Sequence, residues 1–418
     1  MENTGMSFGV RFRLSLMMFL QFMMFAVWWV PLAAYLGKMG VDGVQRALIL
    51  SSMAIGCLVS PIIGMIADRH FNSEKVLFIL NLLCAVFLFA AARTMCPATL
   101  FWILLAAMFC YMPTWGLTSA IAMANSPAEQ FPQIRVFGSI GWVASGAFSL
   151  VAVKLMGVEE FDVTALPLFF GAVISLLGAI VALVLPSTPP PAKGKKSSIM
   201  DSLGLRSLTL MKDFNFAIFI IVSLLVMIPF GIYWSYFSMY LDSMGYKLLT
   251  FTQNLGQMAE MVFMLLVTIA LKKMGVKRAM LTGLICLLVR YVSFLVSGMS
   301  PDLAWLVYIG ILVHGVIYGF FFVGGQIYIN RVAPREMQAQ AQGFIFLVTF
   351  GIGLLIANFT NESLIGYYTV NKVVNWGGVW AMTTVLSAVL LMVFFLFFRY
   401  DENKGVTPRF AGSTDSGG

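Results

Sequence analysis

Twelve runs of about 20 apolar residues recur along this chain, and nothing else in it constrains the fold as strongly. A run of that length spans the roughly 30 Å of hydrocarbon in a bilayer. The first six begin near Leu14, Leu48, Val76, Leu100, Arg135 and Pro167, and the second six near Phe214, Leu248, Met280, Leu303, Gln338 and Trp376. In lipid the backbone must satisfy its own hydrogen bonds, so each run is predicted to be a helix. Composition agrees. Only 11% of the residues are charged and 60% are hydrophobic, where a soluble domain carries about 25% charged residues. The first run follows Arg11 and Arg13 like a secretory leader, but it is too long and lacks a small-residue cleavage site, so it is expected to stay as an uncleaved first span.

Between the sets lies a stretch that proline and lysine exclude from the membrane, with Pro189, Pro190, Pro191, Lys193, Lys195 and Lys196 and a short amphipathic piece around Leu203 to Leu210. The expected organisation is therefore a bundle over 1–187, a cytoplasmic linker over 188–213, a second bundle over 214–400 and a disordered tail over 401–418. An even number of spans puts both termini on one side. Eighteen of the 26 Lys and Arg fall on that side and six on the other, which predicts that the termini are cytoplasmic in a multi-pass cell membrane protein, the inner membrane in a bacterium. The net charge of +8 is thus spread over short loops as a topology signal, and no nucleic-acid face is expected. Cys57, Cys84, Cys96, Cys110 and Cys286 show neither CxxC nor Cys/His spacing, so no disulfide framework, metal site or cofactor is expected.

The run over 248–271 carries Asn254, Gln257 and Glu260, three residues apart, as one polar stripe on an otherwise apolar helix. Glu260 falls near the bilayer midplane, where an ionisable side chain costs about 2.5–3.5 kcal/mol on insertion scales and marks a site by default. The fifth run opens with Arg135, Ser139 and Trp142, spaced by four and three. One face then offers a guanidinium, a hydroxyl and an indole, which suits a hydroxylated, ring-bearing solute. Being near the start of its span, Arg135 has a second reading as an interfacial residue reaching the headgroups. Gly138 and Gly141 on that run allow a neighbouring helix to approach closely. Gln21, Phe25 and Trp28 share a helical face in the first run, either lining a cavity or forming a packed seam. Trp234, with Tyr233, Tyr236 and Tyr240, marks the seventh.

The tenth run carries His314, Tyr318, Phe321 and Gly325 on one face. His314 either relays protons with Glu260 or hydrogen-bonds a substrate hydroxyl. Arg290 either balances a buried carboxylate or lies against the end of its helix. After the second run, Gly64-Met65-Ile66-Ala67-Asp68-Arg69 forms a tight charged turn with Lys75 beyond it, echoed by Lys272-Lys273-Met274-Gly275-Val276-Lys277-Arg278. Asp68 and Arg69 are the candidate gating residues there.

Two sets of six spans around a basic linker, together with that turn, resemble the major facilitator superfamily, whose halves enclose a midplane site. Within it the chain resembles the nucleoside:proton symporters. The likeness runs through Phe19-Leu20-Gln21-Phe22, Ile66-Ala67-Asp68, Tyr111-Met112-Pro113-Thr114, Phe131-Pro132 through Gly141, Leu288-Val289-Arg290 and Ala341-Gln342-Gly343. The resemblance implies a twelve-helix carrier, acting as a monomer, whose partners are a nucleoside, a proton and the lipid bilayer. Substrate binding would fall to Arg135, Ser139, Trp142, Gln257, Glu260, His314, Tyr318, Gln21 and Trp234, and proton coupling to Glu260 and His314. Three positions depart from the family pattern. Gly231 and Trp234 stand where amides are usual, and Gly319 stands where an acidic residue is usual. The block from Arg135 to Trp142 is also similar to the galactoside:proton symporters, which keeps a sugar or oligosaccharide as the alternative substrate. No nucleophile–base pair, metal cluster or phosphate loop points to an enzyme. A ligand-binding membrane sensor would be expected to carry a soluble signalling domain, for which the segment after Tyr400 is short and rich in Gly and Ser.

Overall fold

The computed structural model describes residues 6–127, 129–190 and 204–400, apart from the side chains of 66–68, 268, 336 and 339. Helices dominate as the apolar runs require. Among the described residues ten are long and apolar enough to cross a membrane, and Leu166–Ala182 is a shorter apolar one. In chain order the helices are α1 (Phe8–Lys38, with a turn at Val30 and Pro31), α2 (Gly43–Met65, its helix continuing to His70), α3 (Ser73–Ala91), α4 (Pro97–Ala124), α5 (Phe131–Lys154) and α6 (Leu166–Ala182). They continue as α7 (Phe214–Ser243), α8 (Leu249–Ser297), α9 (Pro301–Val332), α10 (Gln340–Tyr367) and α11 (Trp376–Phe397). Helix starts follow local chemistry. Ser7, Asp213 and Asn375 accept backbone N–H groups at the first turns of α1, α7 and α11. Proline stands in the first turn of α4, α5 and α6.

The eighth and ninth apolar runs both lie in α8, which is helical on either side of Gly275. That residue has φ +77° and ψ 163°, a conformation glycine adopts without a Cβ penalty. The helix folds back there. Glu260 and Arg290 both reach His314, at 3.6 and 3.0 Å, whereas a straight helix would hold residues 30 apart about 45 Å from each other at 1.5 Å per residue.

α3 shows how a helix at the rim sorts its faces. On α3, Leu77, Asn81, Cys84, Leu88 and Ala91 turn inward, while Ile79, Leu82, Val86 and Phe89 are exposed. The inward stripe packs on α4 and α6, and α6 in turn packs on α1. The exposed stripe of large apolar side chains is what a lipid-facing surface requires. Gly141 on α5 meets α1 so closely that a Cβ there would clash with the Phe19 carbonyl oxygen, so the expected close approach is an observed one. The most extensive packing between the first half of the chain and the second joins α1 with α7, α2 with α10, and α5 with α8.

Two local features were not anticipated. A two-stranded antiparallel hairpin, β1 (Thr369–Val370) and β2 (Val373–Val374), links α10 to α11 through Asn371 and Lys372 at positive φ, so the chain is not wholly helical. In α7, α9 and α10 the helix widens to π geometry over Ile232–Tyr236, Ile317–Val323 and Leu347–Gly353. In the predicted linker, the short 3₁₀ helix Leu205–Lys212 packs against α7 and α10. Lys193, Lys195 and Lys196 lie outside the described residues, as does the tail after Tyr400.

Candidate functional site

The seam where α5 and α1 meet α7, α8 and α9 holds a small cavity, and four of the residues singled out for substrate, Trp142, Trp234, Gln257 and His314, line it. Trp29, Val30 and Trp142 line it from the first half of the chain. Tyr233, Trp234, Gln253, Asn254, Gln257 and His314 line it from the second. Its volume is ≈ 20 Å³, enough for one water, which needs about 10–15 Å³. Binding pockets for small molecules run to about 300–1,000 Å³, so these side chains must part to admit a solute. The indoles of Trp142 and Trp234 face each other across the seam, centroids 5.4 Å apart and planes tilted by 40°.

Glu260 and His314 form the polar centre. Both are buried, and Glu260 Oε2 lies 3.6 Å from His314 Nε2. The other imidazole nitrogen, Nδ1, is 3.0 Å from Arg290 Nη2. The ring is flanked by Phe230, Tyr233 and Tyr318, with centroids 5.9, 5.2 and 6.2 Å away. Arg290 is fully buried. Its Nε donates to the Gly310 carbonyl, and its guanidinium carbon stands 3.9 Å over the Tyr233 ring. The choice left open by the sequence thus resolves away from the helix end. Arg290 sits in the core, one imidazole removed from the carboxylate.

Arg135 is half-buried, with its guanidinium carbon 4.4 Å over the Phe22 ring, a cation–π arrangement. Ser139 is half-buried one turn further along α5. Gln21 is drawn elsewhere. Its Nε2 donates to Thr114 Oγ1 at 2.6 Å, and its Oε1 accepts from Asn81 Nδ2 at 3.2 Å. The amide expected to bind substrate is therefore committed to a network inside the first half of the chain, and the structure does not bring it to the cavity. Of the first-run aromatics, Trp29 reaches the cavity. Phe25 stacks on Tyr111 and Trp29, and Trp28 packs edge-on against both Phe25 and Trp29. Of the proposed gate, Arg69 is half-buried near the end of α2's helix, and the side chain of Asp68 lies outside the described set.

Sequence reasoning missed a second cluster, at the end of the molecule far from Phe8 and Phe397. Arg46 on α2 and Glu362 on α10 form a buried two-point ion pair, Nη2 to Oε1 at 2.7 Å and Nε to Oε2 at 2.8 Å. Asn358 Nδ2 donates to the Leu50 carbonyl. Asp162, between α5 and α6, accepts from the Thr250 hydroxyl at 2.7 Å and from the Thr250 N–H at 3.1 Å. Burial raises the Asp162 carboxyl above the usual carboxylate range, against hydrogen bonds from Thr250 and Ser149 that lower it, so milder acid protonates it than an exposed carboxylate. Nearer the centre, Asn254 Nδ2 donates to the Trp142 carbonyl and reaches Ser145 Oγ, each at 3.1 Å. Apart from the Ser149 bond to Asp162, each of these bonds crosses between the halves of the chain. A larger cavity of ≈ 1120 Å³ opens at this far end with Arg46, Asp242, Glu362, Lys372 and Trp376 in its wall. It includes none of the residues singled out for substrate. In sequence Arg46 reads as a loop charge between spans, so no local signal points to the pair.

At the termini end, polar contacts run inside each half. Arg11 donates to Gln133, Arg13 to the Val184 carbonyl, and the Arg399 N–H to Asn215.

A bundle of membrane-length helices that buries a carboxylate, an imidazole and an aromatic-lined cavity on the seam between its halves defines a membrane transporter. The profile of the nucleoside H+ symporter family matches residues 8–403, and the chain belongs to that family. It is 36% identical over 402 residues to the putative nucleoside transporter YegT of Escherichia coli strain K12, covering 94% of each protein. It is 28% identical over 413 residues to the xanthosine permease of the same strain, covering 94% of this chain and 97% of that one. Its fold superposes on the crystal structure of the nucleoside transporter NupG with a TM-score of 0.84 at 25% identity, over 94% of this chain and 100% of that one.

Proposed function

We propose that this protein imports nucleosides together with protons, through twelve membrane crossings arranged as two six-helix bundles that rock about the central seam. Ten long apolar helices, the shorter α6 and the fold-back of α8 at Gly275 support the count. The charge distribution of the loops supports cytoplasmic termini in a cell membrane. The observation that carries the reading is the seam itself, where Trp142 and Trp234 stand ready to stack on a base and Arg135, Gln257 and Glu260 can bond a ribose or base edge.

Ties at the far end and a contracted centre describe a carrier closed toward the outside. Glu260 is the proton site in this reading. A Cβ at Gly319 would stand 2.9 Å from Val267 Cγ2, so an acidic side chain there would require Val267 to give way. A single buried carboxylate then does the coupling.

Uridine binding to purified protein, read by quenching of the cavity tryptophans, tests the site. A hydrogen bond to a charged group contributes about 1.5–3 kcal/mol, so Arg135→Gln should weaken binding about 10- to 150-fold. Unchanged affinity would remove Arg135 from the site.

A further inference from the structure

Arg290 is a buried cation that makes no ion pair with a carboxylate among the described residues; its Nη2 instead meets one nitrogen of His314. A guanidinium has only N–H donors and does not deprotonate in proteins. The atom it approaches at 3.0 Å must therefore be an acceptor, so Nδ1 carries a lone pair and the ring's single proton sits on Nε2. Glu260 Oε2 is the carboxylate oxygen on that side of the ring, 3.6 Å from Nε2 and just beyond direct hydrogen-bond reach. A second proton on the ring would set Nδ1–H against Nη2–H.

We propose that Arg290 is a positioning residue: it locks His314 as the neutral Nε2–H tautomer, making the imidazole a fixed donor toward Glu260 rather than a proton carrier. The functional consequence rests on the symport reading, since it leaves Glu260 alone to take up and release the coupled proton. The tautomer itself does not depend on any substrate.

The surroundings agree. His314 is faced by Phe230 and Tyr233 from α7, by Glu260 and Arg290 from the two arms of α8, and by Tyr318 from its own helix. Arg290 is the group among these that cannot lose its proton. It is held by the Gly310 carbonyl, the Tyr233 face, the Tyr291 hydroxyl and the imidazole. A proton relay through His314 would need Nδ1 free to accept and then donate, and Arg290 occupies that edge.

The chain has two histidines, His70 and His314, and His70 lies at the exposed end of α2's helix. Nitrogen-15 NMR of histidine-labelled His70→Gln protein therefore reads His314 alone. The expected result is a neutral Nε2–H ring with a hydrogen-bonded Nδ1 acceptor, unchanged from about pH 5 to 8, the interval in which an ordinary histidine titrates. An Nδ1–H ring, or an imidazolium appearing in that interval, would overturn the proposal. In Arg290→Met the signature should give way to mixed tautomers or an imidazolium, and Arg290→Lys, which keeps a charged donor, should restore part of it. A Met variant with the parent spectrum would also overturn it. If the Met variant does not fold, the parent spectrum decides. Transport assays have no part in this readout, so a wrong substrate assignment would leave it intact.

Discussion

Glu260→Gln is expected to abolish accumulation of nucleoside against a gradient, bringing the inside-to-outside ratio down to unity, while exchange of labelled for unlabelled nucleoside continues. The substitution keeps the size of the side chain and its capacity to accept from the His314 Nε2–H, but it removes the proton-binding group. A carboxylate buried against an imidazole, beside two indoles, is stable in such a seam as the neutral acid or with a cation nearby. Arg135 from α5 supplies that positive charge. Loading with substrate and re-exposure to water then change which form is favoured, which is what coupling requires. Accumulation at the parent level in the Gln variant would remove Glu260 from coupling.

Glu362→Gln is expected to open the far end. Removing one partner of a buried ion pair leaves the other charge unpaired, at a cost of about 3–5 kcal/mol. Applied to an equilibrium between states closed and open at that end, this is a shift of roughly two to three and a half powers of ten. The asparagine tie from Asn358 to Leu50 and the Asp162 tie to Thr250 remain, so the protein should stay folded while its resting state changes. Spin labels at Val44 on α2 and Ser363 on α10, both exposed positions flanking the ion pair, should move apart in the variant. An unchanged distance distribution would mean that the pair does not hold the far end shut.

The helices were legible because each apolar run obeys one rule, backbone self-satisfaction in lipid, and that rule acts locally. The polar stripe ending at Glu260 and the trio on α5 were legible for a similar reason, since helical spacing alone puts them on one face. Gln21 shows where this stops. Its position in an apolar helix flagged it, but Thr114 and Asn81, some 93 and 60 residues away, decide where its amide goes. Arg290 could not be placed for the same reason, because its partners belong to α9 and α7. The Arg46–Glu362 pair joins residues 316 apart, and in sequence Arg46 reads only as one more loop charge. The fold-back at Gly275 was expected as a turn between two spans. The π-widened segments that present Tyr233, Trp234 and Tyr318 had no sequence signal that propensity reveals, since their residues suit an ordinary helix equally well.

The account stands or falls on uptake of labelled uridine and adenosine into cells lacking their own nucleoside carriers, with unlabelled galactosides as competitors and a protonophore in parallel. It predicts accumulation that galactosides leave untouched and that collapses when the protonophore is added. Entry of nucleoside only to equilibrium, indifferent to the protonophore, would contradict proton symport. No nucleoside entry at all, with galactoside uptake in its place, would contradict the substrate assignment and give the seam to a sugar.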